Sequence, residues 1–198
     1  MAKNPAISTY AKLIGEVAIQ WNILERRLDS LVFHYLTVES KVAGFILGEM
    51  GNETKANFAK FLIEAYEKDD TLRESGLFAL LFLNRVRENR NVLEHSTPHL
   101  DYDWAYSGSI EKSDKRGKRR AFVAPVPQLK ELVSDMRHAE TYFEILQTVL
   151  HTSIYGAPDR YKGGPTIGEA MVRAHALLPR PRLPDKLSPL EPVEVPTT

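Results

Sequence analysis

The sequence predicts an all-α protein: an up-and-down bundle of four to five helices, with a β-hairpin insertion and a proline-rich C-terminal tail. Three observations carry that expectation. Apolar residues recur at helical spacing from Tyr10 to Tyr35, a wholly apolar block (Leu77–Leu83) opens a second long helical pattern, and six prolines fall between Pro179 and Thr198. The chain has 198 residues, 43% hydrophobic and 26% charged, enough to bury one core and carry a tail besides.

The first helix reads from its seam. Tyr10, Ile14, Val17, Trp21, Leu24, Leu28, Leu31 and Tyr35 follow one another at alternating steps of four and three. That is a period of about 3.5 residues, the signature of a long helix packed in a bundle or coiled coil. Glu16, Gln20, Arg26, Arg27 and Asp29 fill the polar face. A second helix is expected from about Glu39 to Met50, closed by Gly51 as its C-terminal cap. A third is expected from about Thr54 to Lys68, with Phe58, Phe61, Leu62 and Ala65 on one face. Thr71 and Glu74 have the spacing of a capping box that starts the fourth. The first half of that helix is apolar all round, which predicts burial on every side; its second half turns polar, and Pro98 stops it.

From Leu100 the period changes to two. Leu100, Tyr102, Trp104 and Tyr106 alternate with Asp101, Asp103 and Ala105, and Ala121-Phe122-Val123-Ala124 is placed to pair back. The expected hairpin occupies about residues 100–125. Its tip, Glu111 to Arg120, carries six basic and two acidic residues. A last long helix is expected from about Gln128 to Tyr155, with Leu129, Leu132, Val133, Met136, Tyr142, Ile145, Leu146 and Val149 inward. Residues 1–156 thus form the bundle. Residues 157–198 are expected to hold a short helix around Gly168–Leu178 and an extended or disordered tail, a composition that does not make a packed core.

Composition narrows the function classes. The 26 basic and 26 acidic residues cancel, so any nucleic-acid contact must come from a local patch rather than from global charge. No cysteine is present, which removes disulfides, thiolate metal sites and thiol nucleophiles and fits a reducing cytoplasm. No secretory-type leader is read at the N-terminus, and no apolar run approaches the ~18 residues of a membrane span. The six histidines lack HExxH spacing, so no metal is expected, and no glycine-rich phosphate loop implies a bound cofactor.

The polar run Arg85–His95 is where chemistry concentrates. Helical geometry puts Asn84, Glu88, Asn91 and His95 on one stripe, with Leu83, Val86 and Leu93 on another. Arg90 stands roughly 140° around the axis from His95, so the two meet only through a long side chain, an unwound helix end or a second copy. Histidine can move a proton to or from a ribose hydroxyl near neutral pH. Arginine offers a planar fork to phosphate oxygens. The structural alternative at the same residues is a solvated helix end, with Arg90 and Glu94 spaced for an i,i+4 ion pair.

The segment Arg90-Asn91-Val92-Leu93-Glu94-His95 resembles the motif of the HEPN domain, an Arg followed by a polar residue and then a His after four to six positions. Trp21-Asn22-Ile23-Leu24-Glu25 is similar to first helices of that family. A second Arg–His pair, Arg27 and His34, lacks the asparagine, since seam residue Leu28 follows its arginine. The resemblance spans about Tyr10 to Tyr155. It implies a helical bundle, often a homodimer, and in many members a metal-independent ribonuclease of toxin–antitoxin or phage-defence systems. On that match Arg90 and His95 are catalytic and Asn91 supports them. Lys115, Arg116, Lys118, Arg119 and Arg120 of the hairpin tip are the candidate RNA contacts, with a solvated loop as their structural alternative.

Overall fold

The seam of the first helix becomes the centre of the molecule. In the computed structural model, which describes residues 5–36, 38–98, 109–113, 119–155, 175–176, 178–187 and 189, α1 runs from Pro5 to Tyr35. Tyr10, Val17, Trp21, Leu24, Leu28 and Leu31 are all buried. Helix α1 lies chiefly against the last helix, α5 (Val126–Tyr155), and also against α3 (Asn52–Tyr66) and α4 (Asp70–Glu94). A short helix, α2 (Ser40–Gly48), joins α1 to α3. The fold is an up-and-down helical bundle, with five helices among the described residues.

Aromatic packing closes the α4–α5 face. Phe82 meets Phe143 edge-on at 5.7 Å, and Phe78 meets Tyr142 edge-on at 5.9 Å, the quadrupole-favoured arrangement for buried rings. Polar ties join the other helices. Buried Lys55 on α3 pairs with Asp29 on α1 at 3.0 Å. Tyr35 donates its hydroxyl to Glu67 at 2.8 Å; burial first, then that carboxylate, pushes the phenol pKa far up.

Several element ends differ from expectation, each for a local reason. Helix α4 is capped by Asp69, whose carboxylate accepts the Leu72 N–H at 3.0 Å; Thr71 lies inside the helix. Helix α2 ends at Gly48 with Glu49 as its C-cap, and Gly51 instead precedes α3 as its N-cap in an extended conformation. The apolar block of α4 is not buried on every side. Helices α1, α3 and α5 cover it, but Leu81 points outward with 51% exposure.

The sheet is also displaced from expectation. Three antiparallel strands, β1 (Ser96–Pro98), β2 (Ser109–Ser113) and β3 (Arg119–Val123), lie in the order β1-β2-β3. Pro98 sits in β1, four residues beyond Glu94, where the helix has already ended. Strand β2 comes from what was expected to be the charged tip, and Leu100–Tyr106 lie outside the described residues. Register explains the choice: Ile110 faces Phe122 across the hairpin, and both are buried against the bundle. One apolar residue from each of β2 and β3 anchors the hairpin.

Residues 178–187 form no helix or strand, in keeping with their prolines, and are packed on the bundle as a strap over α4 and α5. Pro184 and Leu187 are buried, and Pro189 bridges to Phe122 of β3. Of the short helix expected over 168–178, helical His175 and Ala176 and a bend at Leu178 lie among the described residues.

Candidate functional site

The last two turns of α4 sort their side chains sharply. Val86, Asn89, Val92 and Leu93 are buried, Arg87, Glu88, Arg90 and Asn91 are half-buried, and His95 is exposed. A helix end leaves its last four carbonyls without partners inside the helix, and here side chains satisfy two of them. Lys112 of β2 donates its ammonium to the Asn91 carbonyl at 3.0 Å, and the Ser96 hydroxyl donates to the Val92 carbonyl. The lysine also places positive charge at the negative end of the helix dipole. The chain leaves the helix at His95, its C-cap, with φ −104° and ψ 15°.

Arg90 is held by its own helix. Its guanidinium pairs with Glu94, four residues on, and donates to the Asn91 side-chain oxygen at 3.2 Å. Its Nε is enclosed without a hydrogen-bond partner. Arg90, Asn91, Glu94 and Lys112 therefore form one contact network, and His95 stands exposed one residue past Glu94. The stripe expected along Asn84, Glu88, Asn91 and His95 is divided among separate partners. Asn84 accepts from Arg87 at 2.8 Å, and Glu88 pairs with Lys186 of the strap at 2.9 Å.

The basic hairpin is only partly in view. Lys115, Arg116 and Lys118 lie outside the described residues, as does the side chain of Arg119. Arg120 is exposed on β3, in register with Lys112. The second Arg–His pair has structural employment: Arg27 binds Gln147 at 3.2 Å and Glu144 at 3.4 Å, tying α1 to α5. Half-buried His34 is held below the usual imidazole pKa, by burial first and by the nearby His151 charge, against the pull of Glu67. Among the described residues no group of three or more His, Asp or Glu side chains stands together as a metal site.

Sequence reasoning passed over two residues that the structure puts to work. Lys112 is a helix cap, a role set by the sheet and invisible in the sequence. Asn89, 1% exposed, uses its amide on the strap, donating to the Asp185 carbonyl at 2.8 Å and accepting the Leu187 N–H at 2.9 Å. A signal for Asn89 did exist. It lies on the apolar stripe with Val86 and Leu93, and a polar group there needs a partner from elsewhere in the chain. No family model, curated protein or solved structure matches the chain.

Proposed function

We propose that this chain is a HEPN-like, metal-independent endoribonuclease that works at the end of α4, as a homodimer. The observation that supports the reading best is the exposed His95 at the helix exit, one turn beyond Arg90 and Asn91. In this reading a phosphate displaces Glu94 from Arg90, which then clamps the scissile group and offsets the charge that builds on it. Asn91, already bonded to Arg90, keeps the fork oriented. His95 moves the protons: the ribose 2′-oxygen attacks phosphorus as its proton leaves, and the 5′-oxygen departs as it gains one. The products are a 2′,3′-cyclic phosphate end and a free 5′-hydroxyl. Two copies facing each other supply one imidazole to accept and one to donate, which removes the need for Arg90 and His95 to meet within one helix.

The basic hairpin residues Lys115, Arg116, Lys118, Arg119 and Arg120 would add salt-dependent affinity for RNA without reading sequence. The cysteine-free composition suits a cytoplasmic setting, and toxin–antitoxin or phage-defence systems are the contexts that the resemblance implies. The test is cleavage of RNA by the purified protein in excess EDTA, beside Arg90→Ala and His95→Ala. EDTA-resistant cleavage lost in both variants supports the reading; cleavage unchanged in His95→Ala contradicts it.

A second reading is favoured by one contact, the Arg90–Glu94 pair, which is what a helix end without chemistry also forms. In that reading the chain is a non-catalytic helical module that binds RNA or a partner. Salt-sensitive RNA binding without turnover would select it.

A further inference from the structure

The inner face of the sheet carries a polar row beside its apolar one. Residues directly opposite across an antiparallel pair share a face, and side chains two apart along a strand return to it. Ile110 and Phe122 are buried against the bundle, so Lys112 and Arg120, each two residues away, stand on that same face. Lys112 is in register with Ser96 on one side and with Arg120 on the other. Ser96, Lys112 and Arg120 therefore form one row from β1 to β3. Contacts agree with that placement, since the Ser96 hydroxyl and the Lys112 ammonium both reach carbonyls in the last turn of α4.

Charge in this row is not balanced. Lys112 stands directly opposite Arg120, and like charges in that position weaken strand pairing. Arg90 is a third cation, joined to Lys112 through Asn91. The asparagine's backbone carbonyl accepts from the lysine at 3.0 Å, and its side-chain oxygen accepts from Arg90 at 3.2 Å. Glu94, the carboxylate of this group, is taken by Arg90, and Glu88 is taken by Lys186. Glu111 alternates to the outer face of its strand. Among the described residues neither Lys112 nor Arg120 has a carboxylate partner. The helix-capping contact uses one of the three ammonium donors of Lys112, and it gives no reason for an exposed arginine across the strand. An anion held between the two cations supplies one, because it cancels their repulsion and uses their idle donors. Side chains that start about 5 Å apart reach a single phosphate together.

We propose that Lys112 and Arg120 together bind one backbone phosphate of the RNA, the neighbour of the scissile phosphate that Arg90 takes. The inference deepens the ribonuclease reading and rests on it for the role of Arg90. Lys112 serves twice, since its charge also offsets the negative end of α4, which otherwise repels a phosphate approaching Arg90. The substrate is then a strand that continues past the cleaved bond, laid from the helix end onto the sheet.

A labelled 2′-O-methyl RNA oligomer tests this on the full chain. It keeps every backbone phosphate but lacks the attacking hydroxyl, so fluorescence anisotropy reads binding without cleavage. Wild type should bind it saturably. Arg120→Gln and Lys112→Met should each weaken binding by at least about fivefold, as loss of a hydrogen bond to a charged group does. The double variant should be little weaker than either single one, because both side chains act on one phosphate. Its salt dependence should also flatten by about 0.7 in the slope of log K on log salt, the value for one phosphate on a single strand. Should Lys112→Met disturb the helix end, Arg120→Gln decides, because Arg120 is exposed, and Arg120→Lys should restore most of the affinity.

Four results overturn the proposal: no saturable binding by wild type, affinity unchanged in Arg120→Gln, losses that add in full in the double variant, or displacement of the oligomer by micromolar inorganic phosphate, which would mark a site for a free anion. Cleavage of unmodified RNA is read separately. Its absence while oligomer binding behaves as expected would sink the ribonuclease reading and leave the paired-cation site standing.

Discussion

At Arg90 the two functional readings part company, and Glu94 separates them. The pair joins half-buried Arg90 to exposed Glu94 at the end of α4, and such pairs are worth about 0–1 kcal/mol when solvent reaches them. Glu94→Gln therefore costs little stability, within about 1 kcal/mol by denaturant titration. If Arg90 serves phosphate, removing its carboxylate partner strengthens RNA binding severalfold in filter-binding assays, while Arg90→Ala weakens it. If Arg90 only ties down the helix end, RNA binding is the same in Glu94→Gln, Arg90→Ala and wild type. The residues of this network were legible in the sequence as types and spacings. The Arg90–Glu94 pair was legible too; the Lys112 contact was not, because Lys112 reaches Asn91 only through a sheet whose register rests on Ile110 and Phe122.

Among the elements, long periodic patterns were legible and short ones were not. The seam of α1 and the inner face of α5 match the buried residues almost position for position, because each repeats over four turns or more and one core satisfies all of it. Caps and strands turned on single groups: the Asp69 carboxylate rather than Thr71, and the Ile110–Phe122 pair across the hairpin. The apolar block of α4 misled for a different reason. Periodicity says nothing where every position is apolar, so only the packing distinguishes outward Leu81 from inward Leu80. Chemical denaturation should show the difference. Leu81→Lys changes stability by no more than about 0.5 kcal/mol, as surface substitutions do, whereas Leu80→Lys buries an unpaired charge and costs more than about 3 kcal/mol.

For the whole molecule, half-buried His34 and buried His175 set a pH dependence that the sequence did not announce. Burial holds His34 below the ordinary imidazole value of 6.5. It does the same to His175, where the Arg180 charge adds to it. The unfolded chain therefore takes up protons that the folded chain refuses once pH falls past 6.5. Stability is complete above that value and declines below it until the folded-state groups also titrate. The melting temperature should drop between pH 7.5 and 5.5, and by less in His34→Gln than in wild type. An equal drop in both would show that His34 takes no part.

The tail belongs to this scale too. Its prolines foretold extended chain. Its docking rests on Asn89 and Asp135, which lie some 50–100 residues earlier and carry no local sign of what they bind.

The claim on which the functional account turns is that His95 transfers protons in RNA cleavage. The most direct measurement is the chemistry of the product ends after RNA is incubated with the wild-type protein and with His95→Ala, both in excess EDTA. The account predicts 2′,3′-cyclic phosphate and 5′-hydroxyl ends from wild type, and none above background from His95→Ala. Cyclic phosphate ends produced equally by both proteins would contradict it.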